Sequence, residues 1–589
     1  MKSLASLNKY LLRYKSQLVW GLVWVVATNL CGVYAPQFVG EAIDGMKRSL
    51  EQSGSLDMSF IYWHAAKIII FSALSGFFLF LVRQTIIVVS RLIEYDLKND
   101  FYAHLQKLPL EYFKQTSTGD LMSRATNDMG NVRNYLGPGI MYSLNTLFRF
   151  IFVIGAMVQI SPVLTLCALL PAPLLSYAVY RLGKIIHDRS QKLQAKYSDI
   201  TTKVQENLSG IRIVKAYTRE ESEVRAFSLL NRDYYEQNLS LARVQALFFP
   251  LMSGLIGISI MLVIWVGGNQ VITKDITIGQ IAQFLIYVGT LVWPMISIGW
   301  VTNIIQRAAS SQARLDAVMN LQPEIMDNAH TDESITDLNG EITFRNVSFA
   351  YVSNPSHPVL HDLSITIPQG QRLAIVGATG SGKSTFVNLI PRLFDTTSGE
   401  ILIDGKNIKT IPLDVLRRSI GFVPQDGFLF SDSLRNNIAF GVADASDEEV
   451  VAAAKAAAIY DDISGFPLQF ETMIGERGIT LSGGQKQRTS IARALIRNPK
   501  ILILDDSLSA VDTKTEDEIL SHLDRLMQGR TSILISHRIS SVKNCDRIVV
   551  IEQGRIVEQG THDELITRDG HYADLHRKQL LEDELSELQ

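Results

Sequence analysis

The run Gly377-Ala378-Thr379-Gly380-Ser381-Gly382-Lys383-Ser384 has the residue types and spacing of a loop that wraps phosphate. In such a loop the glycines let backbone N–H groups close round phosphate oxygens. The lysine reaches the β/γ-phosphates, and the serine hydroxyl can ligate Mg²⁺. Thr385 follows directly and joins the candidate nucleotide-binding set. Further on, Ile501-Leu502-Ile503-Leu504 ends in Asp505 and Asp506. Four apolar residues closed by a carboxylate make a buried strand that delivers an acid to a metal's shell. Lysine, hydroxyl and carboxylate together suit phosphoryl transfer, in which positioning and charge neutralisation do most of the work.

These side chains need a strand, a loop and a helix to hold them. Arg372-Leu373-Ala374-Ile375-Val376 reads as a buried strand feeding the loop, and the residues from Ser384 onward begin a helix. The helix N-terminus then adds its positive end to the phosphate cradle. Glu341 to Phe349 alternates as a strand, with Tyr351 just beyond it.

About a hundred residues after the phosphate loop, Leu481-Ser482-Gly483-Gly484-Gln485 resembles the signature motif of the ATP-binding-cassette (ABC) ATPases. In that family the signature caps an ATP held by a different cassette. One copy of each motif therefore implies a pair of cassettes, with Ser482, Gly483, Gly484 and Gln485 serving the partner's nucleotide. The resemblance assigns further roles. Tyr351 falls where related cassettes stack an aromatic on adenine. Gln425, in Gly421 to Asp426, matches the glutamine that reaches Mg²⁺ and the attacking water. Asp505 belongs to the metal's shell with Ser384 and Gln425. His537 sits at the switch position near the γ-phosphate, and Asp512 lies in the loop that communicates with the opposite site. Gly475-Glu476-Arg477 resembles a stretch that exporters carry before the signature. ATP and Mg²⁺ are the implied cofactors, and Asp506, Gln425 and His537 the implied catalytic set.

One position departs from the family pattern. The residue after the strand's aspartate is normally glutamate, which orients or deprotonates the attacking water; here it is Asp506, shorter by a methylene. In heterodimeric ABC exporters one subunit often carries an aspartate here, and its ATP site is slow. The intact signature fits that role and favours a heterodimer. The retained His537 keeps a homodimer with two modest Asp506 sites open.

The chain has 589 residues, enough for two or three domains. Its 56 Lys+Arg against 59 Asp+Glu give a net charge of −3, which points away from a nucleic-acid partner. Cys31, Cys167 and Cys545 are far apart and read as free thiols. The mean hydropathy of +0.13 averages two unlike halves. Six apolar segments, near 18–38, 60–82, 139–160, 163–181, 246–268 and 280–304, are long enough to cross a hydrocarbon core, which needs about 20 residues. The first follows Lys2, Lys9, Arg13 and Lys15 yet lacks a small-x-small cleavage site, so it reads as a retained helix. Basic residues crowd the connections after spans two and four (Arg91, Lys98, Lys114, Arg124; Lys184, Arg189, Lys196, Arg212) and are sparse on the other side. Positive residues collect in the cytoplasm, which puts both termini and the soluble half inside. Those long connections read as helices extending beyond the bilayer. Phe113 to Arg124 and Glu206 to Tyr217 within them resemble the coupling turns of ABC exporters. Among polar residues inside spans, Arg149, Asn145, Asn303 and Gln283 are candidates for a substrate path. Arg149 equally reads as snorkelling or paired. Trp293-Pro294 is expected to kink the sixth span.

Six spans followed by one cassette resemble a bacterial multidrug-exporter-like half-transporter over nearly the whole length. The implied fold is a membrane all-α six-helix domain of type IV ABC exporter kind, fused to an α/β P-loop NTPase cassette. The expected boundaries are a membrane domain 1–306, a connector 307–335, a cassette 336–575 and a solvated acidic tail 576–589. The implied function is ATP-driven export or flipping of amphipathic small molecules or lipids across the bacterial cytoplasmic membrane by alternating access. The implied partners are a second half-transporter and the surrounding lipid. A homodimeric lipid flippase and a regulatory ATP-binding subunit with little turnover stand as alternatives. An N-terminal peptidase domain, which a peptide exporter would often carry, is not expected.

Overall fold

The structure, a computed structural model, describes residues 2–475, 481–507, 527 and 529–587. The chain divides into two compact units. One comprises Met1–His104 and Gly119–Leu321; the other comprises Leu105–Thr118 and Gln322–Gln589.

The first unit is helical. Six helices, Lys15–Gln52, Met58–Leu105, Thr118–Ile160, Pro162–Ser209, Glu220–Ile272 and Ile278–Met319, are long and apolar enough to span a membrane. They contain the six expected segments, and their excess length is the expected extension beyond a core of about 30 Å. Local chemistry sets their ends. Ser161 accepts from the Leu164 N–H and Pro162 occupies the first turn, where its missing N–H costs nothing. Thr277 and Gln280 form a reciprocal capping box. Pro294 sits inside a helix that runs unbroken through Met319, so the expected kink does not interrupt it. Ion pairs lace the extensions: Lys203 to Glu223 at 2.6 Å, Lys196 to Asp233 at 3.3 Å, and Arg133 to Glu94 at 3.4 Å. Asp128 is buried and receives the Arg314 Nε at 2.9 Å, which ties the third helix to the sixth. Arg83–Ile87, Arg124–Asp128 and Tyr135–Gly139 are single π-helical turns within the second and third helices.

The second unit is built on two sheets. Strands β1 (Ile342–Phe349), β2 (Leu360–Ile367), β4 (Ser398–Ile403) and β5 (Lys406–Asn407) form an antiparallel sheet ordered β2-β1-β4-β5. Strands β3 (Arg372–Val376), β6 (Ile420–Val423), β7 (Ile501–Asp505), β8 (Thr531–Ile535), β9 (Arg547–Glu552) and β10 (Arg555–Gly560) form a second sheet ordered β10-β9-β3-β8-β7-β6. In it β9, β3, β8, β7 and β6 run parallel, and only β10 is antiparallel. Strands β7 and β8 are buried along their whole length, which explains why they read as continuous apolar runs. Pairing of Ile375 with Ile535, Asp505 with Ile535 and Val423 with Leu504 brings the carboxyl ends of four strands to one edge. Ligands of open parallel sheets bind at that edge.

Two expected boundaries differ in the structure. Residues 105–118 pack with the cassette, so the membrane domain is not one continuous 1–306 stretch. Within 307–335 the last helix runs on to Met319, and the rest is irregular. The stretch expected as a frayed tail continues a helix, His571–Glu587. Acidic composition suggested solvation there, but the preceding His571–Gln579 turns are held by packing of the buried Tyr572 and Ala573.

Candidate functional site

The phosphate loop leaves β3 at Gly377 and enters the helix Lys383–Leu389. Two of its glycines are required by their backbone. Gly377 has φ +152° and a Cβ there would collide with the Ile551 carbonyl; Gly382 has φ +102° and a Cβ would come within 2.8 Å of Leu360 Cδ2. Only glycine adopts such conformations at low cost. Lys383 is 6% exposed and its Nζ donates to the Gly377 and Ala378 carbonyls, both at 2.9 Å. Burial pulls its ammonium below the usual lysine range, against the opposing pull of Asp506 and Asp505.

The carboxylates face this lysine from the end of β7. Asp505 is 4% exposed and accepts from Ser384 Oγ at 3.0 Å. Burial pushes its carboxyl up; the Ser384 bond opposes that, and the neighbouring Asp506 charge adds to it. Asp506 is 8% exposed with φ +45°, accepts from Gln425 Nε2 at 3.3 Å, and its N–H donates to the Ile535 carbonyl at 3.0 Å. Lys383, Ser384, Thr385, Gln425, Asp505, Asp506 and the exposed His537 line one cavity of about 290 Å³, with Thr379, Gly380 and Gly382 on its floor. Tyr351 joins it through its hydroxyl, 3.0 Å from Thr385 Oγ1.

The donor set fits both implied groups. Ser381 Oγ is buried in the loop with no hydrogen-bond partner, an atom a phosphate oxygen would satisfy. Ser384, Asp505 and Gln425 offer hard oxygen donors, the kind Mg²⁺ selects. Asp505 and Asp506 face Lys383 in the same cavity, an acidic pair that a divalent cation would complement.

Ser482, Gly483, Gly484 and Gln485 stand elsewhere. Ser482 caps the helix Gly483–Leu495 in a capping box with Gln485, whose Nε2 also donates to Asp462 at 2.8 Å. None of the four lines the phosphate cavity. Asp512, Glu476 and Arg477 lie outside the described residues.

Two residues escaped the sequence reading. Lys114 holds its Nζ 4.6 Å from the Tyr351 ring centroid and 4.8 Å from that of Phe394. Gln579 donates to the His537 carbonyl and accepts from the Ile539 N–H at 2.8 Å, so it grips the switch segment at two backbone points. From sequence Lys114 reads as a basic residue in a stretch resembling a coupling turn, and Gln579 falls in the stretch read as tail.

Of the four polar residues inside spans, two join helices directly and a third acts through a neighbour on its own helix. Arg149 donates to Asn29 Oδ1 at 3.2 Å, and Asn29 donates to Asn145 Oδ1 at 3.0 Å. Gln283 donates to the Tyr287 hydroxyl at 3.0 Å, which in turn donates to the Val33 carbonyl. Only Asn303 lines the large cavity of this unit.

Comparison with known proteins follows the same division. The profile of the ABC transporter transmembrane region matches residues 18–295, and that of the ABC transporter domain matches residues 360–509. The chain is 36% identical over 97% of its length, and 96% of the relative's, to a Bacillus subtilis (strain 168) protein named "Probable multidrug resistance ABC transporter ATP-binding/permease protein YheI". It is 39% identical to the ATP-dependent lipid A-core flippase of Syntrophus aciditrophicus (strain SB), over 84% of this chain and 81% of that one. A solved bacterial Atm1-family ABC exporter with ATP bound superposes with a TM-score of 0.78 at 28% identity, covering 96% of this chain and 99% of that chain.

Proposed function

Because the chain belongs to the ABC exporters, multi-pass inner-membrane proteins that couple ATP hydrolysis to transport, we propose that it is one half of a dimeric pump that exports or flips amphipathic small molecules or lipids. The observation that carries this reading is the meeting of Gln425, Asp505, Asp506 and His537 with the phosphate loop at one cavity, while Ser482 to Gln485 stand off it. A signature that does not serve its own nucleotide has its use on a partner's. Two ATP molecules held between cassettes would close them, and hydrolysis would reset the pump.

In this reading Lys383 neutralises phosphate charge, Tyr351 supports the adenine, and Asp506, Gln425 and His537 orient the attacking water. Ser384, Asp505 and Gln425 would hold Mg²⁺, which when bound would supply Lewis-acid stabilisation of charge on the phosphates. Asp512 takes its expected part in communication between sites. The basic connections support a cytoplasmic cassette and cytoplasmic termini. The second coupling turn, Ile211–Ala216, presents Ile213 and Tyr217 at 66% and 74% exposure, and such bare apolar side chains suit docking on a cassette.

The shortened carboxylate of Asp506 favours this chain as the slow half of a heterodimer. A homodimer is favoured by His537, which stays at the cavity with the rest of the set. A mainly regulatory ATP-binding subunit is the limiting case of the slow half. ATP turnover by the chain purified alone in lipid, with Asp506→Asn as baseline, separates these. Negligible turnover with ATP still bound supports the slow half; robust turnover lost in the variant establishes a self-sufficient homodimer.

A further inference from the structure

The stretch Ser482 to Gln485 is held in shape by a residue outside every motif. The Gln485 side-chain amide is used at both ends. Its Oε1 accepts from the Ser482 N–H at 3.0 Å, and its Nε2 donates to Asp462 Oδ1 at 2.8 Å. A carboxylate accepts and does not donate, so Asp462 fixes which way round this amide lies. The Gln485 N–H in turn donates to Ser482 Oγ at 3.3 Å. The hydroxyl accepts there, which keeps its own proton for a further acceptor. Ser482 and Gly483 are exposed, and N–H groups in the first turn of a helix have no intrahelical partner. The signature thus presents donors to an anion that meets it.

Asp462 is itself well fixed. It sits on the short helix Tyr460–Ser464, whose Ile463 is fully buried in the cassette core. Its second oxygen takes Arg488 Nη1 at 2.9 Å, and the same Nη1 donates to the Ala458 carbonyl at 2.6 Å. An unneutralised carboxylate beside a helix N-terminus would occupy the positive end that a phosphate needs. Arg488 offsets that charge while the other oxygen stays with Gln485.

We propose that Asp462 is a positioning residue for the ATP bound by the opposite cassette. Through the Gln485 amide it holds Ser482 and the first turn behind it in the conformation that donates to that nucleotide's phosphates. Arg488 is the counter-ion that keeps Asp462 from repelling them. The proposal rests on the paired-cassette reading and adds the residue, twenty-odd positions before the motif, on which the signature's geometry depends.

The test is hydrogen–deuterium exchange on the full chain in lipid nanodiscs, read residue by residue across 377–384 and 482–485. It runs first without nucleotide and then along a titration of a non-hydrolysable ATP analogue with Mg²⁺. Without nucleotide, Asp462→Ala should speed exchange of the Ser482 N–H about tenfold, on the order of one charge-assisted hydrogen bond. Asp462→Asn keeps an acceptor oxygen for Gln485 and should restore the natural rate. Arg488→Gln removes the ion pair alone and should also leave that rate unchanged. With the analogue, Asp462→Ala should lose protection at 482–485 at concentrations that still protect 377–384. General loss of fold would remove both together. Unchanged Ser482 exchange in Asp462→Ala, an Asp462→Asn no better than alanine, or joint loss of protection in both segments overturns the proposal. An analogue that protects 377–384 of the natural chain but not 482–485 sinks the pairing of like cassettes alone, and the nucleotide-free rates still decide the role of Asp462.

Discussion

Lengthening Asp506 to glutamate tests whether carboxylate reach limits hydrolysis. The side chain gains one C–C bond, roughly 1.5 Å of reach. A misplacement of about 1 Å costs on the order of a hundredfold, or about 2.7 kcal/mol at about 1.36 kcal/mol per decade. Against this stands the Gln425 Nε2 bond to Asp506 at 3.3 Å, which a longer side chain gives up at about 1 kcal/mol. The left-handed φ of +45° also favours aspartate, since short polar side chains tolerate that region best. That strain weakens the variant's stability rather than its chemical step. Some 1.5 kcal/mol remains, so Asp506→Glu should raise kcat roughly tenfold in the chain alone. Steady-state phosphate release in lipid, with Asp506→Asn as zero, measures it. A glutamate variant no faster than the natural chain would refute the reasoning and mean that the short carboxylate already stands where the water needs it.

Lys114→Met removes the cation lying over Tyr351 and Phe394, an interaction worth about 0.5–1 kcal/mol at an accessible site. If the adenine must share that ring, ATP affinity by fluorescent-nucleotide titration rises about two- to fivefold, and an unchanged constant argues against sharing. Gln579→Ala removes the bond to the His537 carbonyl and the one from the Ile539 N–H, so kcat should fall several-fold, on the order of one hydrogen bond's worth, with ATP affinity unchanged. A fall in affinity instead would mark Gln579 as supporting the fold rather than the switch. Because burial raises the Asp505 carboxyl, protons compete with Mg²⁺ at a higher pH than the ordinary value of about 3.9 would allow. The metal concentration for half-maximal ATPase should therefore climb on acidification beginning above that value; a flat profile down to it contradicts the assignment. By the same sign, Asp505's own contribution to stability is present below its unfolded pKa and lost as pH rises through the folded one. At neutral pH it thus favours any cation that neutralises it.

Much of the cassette was legible because its chemistry is local. The loop from Gly377 to Ser384, the apolar strand ending at Asp505 and the Gly421–Gln425 stretch each carry their own pattern, and parallel pairing brings them to one edge. The spans were equally legible, since hydropathy over about 20 residues needs no partner. What the sequence hid was tertiary. Arg149 read equally as a path residue and as a snorkelling or paired one, and its hydrogen bond to Asn29 depends on which helices neighbour it. The His571–Glu587 helix was masked by acidic composition, and its grip on His537 is made across a long sequence separation.

The assignment of residues 105–118 to the cassette's unit bears on how the protein is made. The segment leaves the ribosome well before β1, and at about 5–20 residues per second the delay between Lys114 and Tyr351 is roughly 10 to 50 seconds. During that interval its partner surface does not yet exist. The helices on either side are therefore synthesised while this piece waits, and the packing of its unit is complete once the cassette has followed. A cassette produced as an isolated fragment starts without a part that the whole polypeptide had already laid down, and its nucleotide affinity should not be taken for that of the intact chain.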